Sequence, residues 1–393
     1  MTADNATSGN PASAGAGRLS LDGYLLRMID LDASDLFLRA GTPPVFRIYG
    51  RIVRSDLPTP TVQEMRSHLA TVLTPVARER FERSPDIDAA YTVPGKGRYR
   101  INLFLHQGEL GLAARLIPQG AVKFEGLNLP PAVLEMAKAQ AGLILVVGPT
   151  GCGKSTTLAA MIHHINAARE AHIVTIEDPI EFVHEEIRCL IHQRQVGYDT
   201  ESFATALRHV VRQSPDVILI GELRDSDTIQ TAFSAALTGH LILSTLHTTN
   251  VVQSVDRMLN YFPPEGRRQA QTDLATTLIG IVSMRLLPRK DGQGRVPAVE
   301  VLRSTPTVRR LIAEGALVEL YDVMKRSRDV GMMTLNQSLV QLVKSGLVAE
   351  AAALPHAPNV EEYRLNMQGM YTGIDSIDLR TEGDKWKKDK DKP

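Results

Sequence analysis

From about residue 132 onward, short apolar runs alternate with amphipathic stretches of helical length. The run Leu143-Ile144-Leu145-Val146-Val147 contains no polar position, which predicts a strand buried on both faces. Lys154–Ala168 reads as a helix, followed by a strand at Ile173–Ile176, a helix around Ser202–Gln213, a strand at Val217–Ile220, a helix at Asp225–Leu237 and a strand at Leu241–Thr245. Alternation of this kind implies a parallel sheet covered by helices. In the Asp225–Leu237 segment, Ile229, Ala232, Phe233, Ala236 and Leu237 recur at helical spacing and predict the buried stripe, with Gly239 as the stop. Beyond Ile281, Val282–Pro288 and Val296–Leu302 predict a hairpin around Asp291-Gly292-Gln293-Gly294. Thr305-Pro306 and the capping box Thr334–Gln337 each open a further helix.

The first 130 residues are patterned differently. Residues 1–18 are rich in Ala, Ser, Gly and Thr and are expected to be disordered. Asp35–Leu38 predicts a strand, Gly41–Pro44 a turn, and Val45–Val53 a second strand with a glycine break. Thr61 and Glu64 form a capping box ahead of a helix whose apolar face is Val62, Met65, Leu69, Val72 and Leu73. In Arg98–Leu105 the residues alternate, placing Tyr99, Ile101, Leu103 and Leu105 on one face and Arg98, Arg100 and Asn102 on the other. A further basic strand, Leu112–Ile117, carries Arg115. Residues 19–118 therefore read as an α+β domain, residues 119–131 as a linker marked by Gly120, Gly126 and Pro130-Pro131, and residues 132–370 as an α/β domain ending in helices. Residues 371–393 are expected to form a charged, flexible tail.

Composition narrows the function classes. Lys plus Arg and Asp plus Glu are both 44, so the formal charge is zero, and aromatics are only 5%. A nucleic-acid translocase would show a basic stripe with stacking aromatics, so no nucleic-acid partner is expected. Two cysteines, Cys152 and Cys189, cannot build a disulfide framework or a four-cysteine zinc site, which fits a reducing cytoplasm. Apolar runs are strand-sized and the N-terminus has neither a basic start nor an apolar core, so any membrane role is expected to run through a partner.

The chemistry centres on Gly148-Pro149-Thr150-Gly151-Cys152-Gly153-Lys154-Ser155, followed by Thr156, which fits the phosphate-cradling pattern GxxxxGK[ST] between a strand and a helix. Glycines let backbone N–H groups converge on a phosphate, Lys154 can reach the β/γ oxygens, and the Ser155 hydroxyl can ligate Mg²⁺. ATP with Mg²⁺ is the expected ligand. Three polar clusters are expected at C-terminal strand ends, where an open α/β sheet binds ligand. They are Glu177-Asp178-Pro179-Ile180-Glu181, Glu222 after Val217–Ile220, and His240 through His247 and Thr248.

The set GPTGCGKST, VTIEDPIEF, SPDVILIGELRD and TGHLILSTLHT resembles the Walker A, Asp box, Walker B and His box of the secretion-type ATPases. Within them it is similar to the type IV pilus retraction motors of the PilT and PilU kind, from about Ser34 to Met367. The resemblance implies a PAS-like N-terminal domain, a RecA-like ATPase domain and a homohexameric ring. It implies that Glu222 polarises the attacking water, that Glu181 with Glu177 and Asp178 lies at the Mg²⁺ side, and that His240 and His247 lie near the γ-phosphate. Arg100 and Arg115 match N-domain arginines that reach that phosphate. SDLFL at Ser34–Leu38, VMKRSRDVGM at Val323–Met332 and YRLNMQG at Tyr363–Gly369 favour the PilU kind, an accessory retraction ATPase of twitching motility with a PilT-like partner and an inner-membrane platform protein. A principal PilT-type motor and a nucleotide-gated subunit dependent on a partner motor are the alternatives. One departure stands out: Gly221 occupies the position where many phosphate-loop enzymes carry a Mg²⁺-binding aspartate, and Asp216, at the wrong end of its strand, reads as structural.

Overall fold

The computed structural model describes residues 19–48, 50–117 and 122–370. The expected N-terminal disorder, the charged tail and residues 119–121 of the expected linker lie outside the described residues, and residues 122–130 contain no helix or strand. The chain divides into two compact units, Met1–Gln119 with Glu181–Val183 and Gly120–Ile180 with His184–Pro393.

The first unit is a six-stranded sheet backed by helices. In chain order it comprises α1 (Leu21–Asp30), β1 (Ala33–Arg39), β2 (Thr42–Ile48), β3 (Arg51–Arg54), α2 (Val62–Val72), α3 (Pro75–Arg83), β4 (Asp86–Val93), β5 (Gly97–His106) and β6 (Glu109–Ile117). The strand order is β3-β2-β1-β6-β5-β4, and every pair within it is antiparallel. Tyr99, Ile101 and Leu103 alternate into the core with Leu25, Met28 and Met65, while Arg98, Arg100 and Asn102 take the other face. The Thr61–Glu64 capping box forms in both directions, the kind of cap worth about 1 kcal/mol.

Three details differ from the sequence reading here. Val45–Val53 is two strands, because Gly50 at φ 79° turns the chain back and β2 pairs with β3. Thr42–Pro44 belongs to β2, so the turn between β1 and β2 is made by Ala40 and by Gly41 at φ 70°. Val62 and Leu105 are 51% and 45% exposed, because each lies at the end of its element, past the edge of the core.

The second unit contains a seven-stranded sheet. Its elements are α4 (Pro131–Ala137), β7 (Gly142–Val147), α5 (Lys154–Ala168), β8 (His172–Glu177), β9 (Leu190–Gln195), α6 (Phe203–Val210), β10 (Val217–Ile220), α7 (Ser226–Leu237), β11 (Leu241–Leu246), α8 (Val251–Asn260), α9 (Pro264–Thr277), β12 (Leu278–Pro288), β13 (Arg295–Arg303), α10 (Pro306–Glu314), α11 (Glu319–Arg326), α12 (Leu335–Lys344), α13 (Glu350–Ala353) and α14 (Val360–Met367). The strand order is β13-β12-β7-β11-β10-β8-β9, parallel throughout except for the β12–β13 hairpin.

Both faces of this sheet are covered, which is why its central strands read as unbroken apolar runs. Leu143, Leu145 and Val147 pack with α6, α7, α8 and α9 on one side, and Ile144 and Val146 pack with α4 and α5 on the other. The α7 stripe forms as read except for Leu237, which is exposed at the helix end. A separate cluster around Leu287, Val296, Leu339 and Tyr363 seats α12 and α14 on the hairpin.

Candidate functional site

Parallel strands deliver their C-terminal ends to one edge of the sheet, and the register makes that edge level. Ile220 of β10 pairs with Ile176 of β8 and with Ser244 of β11, while Thr245 pairs with Val146 of β7. The residues that leave this edge are Glu177, Gly221-Glu222, His247 and the loop beginning at Gly148. Side chains extend the ladder past the strand ends: Thr245 Oγ1 donates to the Gly221 carbonyl at 2.6 Å, and the Gly221 N–H donates to the Ile176 carbonyl at 2.7 Å.

The loop fits a phosphate. Gly148, Gly151 and Gly153 have φ of 146°, 77° and 100°, a region L side chains rarely adopt. A Cβ on Gly148 would stand 2.5 Å from both Cys152 Sγ and the Met284 carbonyl oxygen, so only glycine closes the turn against β12. Gly153 is the N-cap of α5 and supplies no side-chain acceptor, which leaves the first-turn amides for a ligand. Lys154 is 8% exposed and curls over the loop, its Nζ donating to the carbonyls of Gly148 at 2.9 Å and Pro149 at 3.2 Å. Cys152 is buried, and burial pushes its thiol up. Its side chain packs into the core beneath the loop. Pro149, Thr150 and Gly151 are exposed, and Ser155 and Thr156 are half-buried in the first turn of α5.

Glu222 is the acid most firmly placed. One carboxylate oxygen is paired with Arg224, and the other lies 3.6 Å from His247 Nε2. The carboxylate pushes the Arg224 guanidinium above its ordinary value. Sequence reasoning misses Arg224, although a cation two residues beyond the strand-end glutamate is a signal that could have found it. Glu177 is held by Thr175 Oγ1 at 2.6 Å and Gln193 Nε2 at 3.1 Å, and Asp178 is exposed beside it. Among the described residues no three His, Cys, Asp or Glu side chains form a metal cage. The donors present suit Mg²⁺, which keeps its waters and is bound mainly through phosphate oxygens and a hydroxyl such as that of Ser155.

Gly221 has little room for an aspartate. An added Cβ would meet the Ile176 carbonyl at 3.3 Å and Glu177 Cα at 3.4 Å. Asp216 caps the opposite end of the sheet, its Oδ2 accepting from the His172 N–H at 2.7 Å, as a structural residue should.

His240 requires a correction. It precedes β11 where His247 follows it, so the two histidines lie at opposite ends of a strand about 20 Å long. The His240 carbonyl accepts from Gly142 N–H at the start of β7, and its Nδ1 lies 2.9 Å from the Ala235 carbonyl. Within the second unit it closes the end of α7, away from the loop.

Arg100, Arg115 and Glu181 belong to the first unit. Arg100 and Arg115 face each other across β5 and β6, and the row continues through Asp35 to Arg47. Asp35 binds Arg115 Nε at 2.8 Å and Arg47 Nε at 3.2 Å, and Arg100 pairs with Asp88 at 3.2 Å. Glu181 is exposed.

Comparison with known proteins decides the family. Residues 127–353 match the model for type II/IV secretion system proteins. The chain belongs to that family. It is 38% identical to the Pseudomonas aeruginosa type IV pilus ATPase PilU over 361 residues, covering 91% of this chain and 94% of the relative. Identity to the P. aeruginosa retraction ATPase PilT is 40% over 331 residues, covering 84% of this chain and 96% of the relative. Among solved structures, the pilus retraction motor PilT with bound ADP superposes with a TM-score of 0.81 at 41% identity, covering 88% of this chain and 99% of that one. The family fold is therefore the expected one: an N-terminal α+β domain and a RecA-like ATPase domain with C-terminal helices.

Proposed function

We propose that this chain is an ATP-hydrolysing subunit of a homohexameric motor for type IV pilus retraction, in the accessory role of the PilU kind. The observation that carries the reading is the meeting of the phosphate loop, Glu222 and His247 at one edge of a single sheet, in a chain that aligns with PilU over 91% of its length.

In this reading the loop amides and Lys154 bind the triphosphate, and Ser155, Glu177, Asp178 and Glu181 are the residues that would hold Mg²⁺. Bound Mg²⁺ would neutralise charge on the β/γ oxygens. Glu222 accepts a hydrogen bond from the attacking water and aims it, while His247 fixes the carboxylate. Arg100 and Arg115 supply positive charge to the γ-phosphate. The motor works in the cytoplasm against an inner-membrane platform protein, beside a PilT-like partner. No helix among the described residues is long and apolar enough to cross a membrane.

Purified Glu222→Ala tests the core of this: it should bind ATP normally and lose turnover. Normal hydrolysis by that variant would remove the catalytic role. Expressing the chain alone in cells lacking both retraction ATPases tests the accessory role, which predicts no retraction without the partner.

A further inference from the structure

Glu300 is a buried acid that the reaction does not touch. It lies in β13 at 4% exposure, and its Oε2 accepts the Val251 N–H at 2.9 Å. Val251 is the first residue of α8, four residues beyond His247. Directly opposite Glu300 in the β12–β13 register is Ser283, whose hydroxyl donates to the Thr249 carbonyl at 3.2 Å. Thus the segment from His247 to Val251 is tied to one hairpin by two side-chain bonds to its backbone.

The same hairpin also touches the phosphate loop. The Met284 carbonyl backs Gly148, and Met284 Sδ accepts from Thr157 Oγ1 of α5 at 3.4 Å. Successive residues of β12 therefore locate the His247 segment and the loop. A carboxyl is a costly group to bury for capping alone, since a serine or asparagine at the helix start does that in water. Burial pushes Glu300 up to about 7, against the opposing pull of the Val251 N–H and Arg285. Carboxyl and carboxylate alike can accept the Val251 bond, so an amide should replace either.

We propose that Glu300 is a positioning residue for hydrolysis, holding His247 in register with Glu222 and the phosphate loop through the β12–β13 hairpin. The proposal rests on the ATPase reading above. Its test is steady-state turnover of the assembled protein together with binding of a fluorescent ATP analogue. Glu300→Ala should lower kcat roughly tenfold, the usual scale for losing a residue that orients a catalytic one, with analogue affinity unchanged. Glu300→Gln should restore kcat to near the parent value, which a role in charge would not allow. In the double variant with His247→Ala, turnover should fall no further than in His247→Ala alone. Parent-level kcat in Glu300→Ala, or a fully additive double variant, overturns the proposal. If Glu300→Ala does not fold, Ser283→Ala carries the test with the same expected pattern, and an unchanged kcat there overturns it. A parent chain without ATPase activity would instead refute the underlying function.

Discussion

Glu222 Oε2 stands 3.6 Å from His247 Nε2 across the ends of two adjacent parallel strands, β10 and β11, while Arg224 holds the other carboxylate oxygen. A carboxylate held between a guanidinium and an imidazole cannot swing freely, and its aim depends on both. Arg224→Ala is expected to lower kcat by about three- to tenfold while leaving nucleotide affinity unchanged, since Arg224 belongs to the acid and not to the loop. Glu222→Ala should cost at least about a hundredfold, the scale for a group that moves a proton. Equal kcat in the two variants would show that Arg224 and Glu222 act as one unit.

Gly148→Ala probes the loop without touching a charge. The new methyl would meet the Met284 carbonyl, a backbone atom that cannot rotate away, at a φ of 146° that alanine does not favour. Overpacking and strain together are expected to cost about 2–3 kcal/mol. A thermal melt should show the loss, and binding of the ATP analogue should fall with it. Gly151→Ala has open space around its Cβ, so its cost is limited to the backbone strain at φ 77°.

Much of this site is legible in the sequence because its signals are local. The phosphate pattern, the apolar run before it and the acid after Val217–Ile220 are each short and contiguous, and the sheet places them as the pattern requires. Both capping boxes form for the same reason. What escapes are features set by distant partners. The edge strand β9 reads Leu-Ile-His-Gln-Arg-Gln and carries no apolar run. Helix α9 buries Ala270, Asp273, Leu274 and Thr277, a stripe too polar for a hydrophobic count. Helix α8 is a different case: no helix is expected there, although Val251, Val255, Met258 and Leu259 stand at helical spacing, a local signal that suffices to find it. A motif names residues without saying on which side of the strand each falls, and so it misplaces His240. Glu300 acts through a hairpin 49 residues from its partner.

The arginine row of the first unit gives a prediction of its own. Asp35 binds Arg115 through Nε, leaving the terminal nitrogens of the guanidinium as the part that can meet a phosphate. Arg115→Lys keeps the charge but loses the planar fork. Turnover is expected to fall at least about tenfold in Arg115→Lys and further in Arg115→Ala, with analogue binding retained, as for groups that act on transition-state charge. Unchanged turnover in both variants would remove Arg115 from the reaction and leave it as a sheet charge.

Stability should depend on pH through His184. Burial, aided by the neighbouring charge of His163, pushes its imidazole down from 6.5 to about 4. The folded chain therefore resists a proton that the unfolded chain accepts. Stability is intact above pH 6.5 and falls as the pH drops from 6.5 towards 4, by on the order of 2–3 kcal/mol. Glu300 runs the other way: raised from 4.5 to about 7 by burial, it withdraws stability as the pH climbs through that window. The two slopes offset one another in the parent chain, so the measurement is a difference. His184→Gln should gain about 3–6 °C in Tm relative to the parent on going from about pH 7.5 to about pH 5. A difference that does not change with pH would mean that His184 takes up its proton as readily in the folded chain as in the unfolded one.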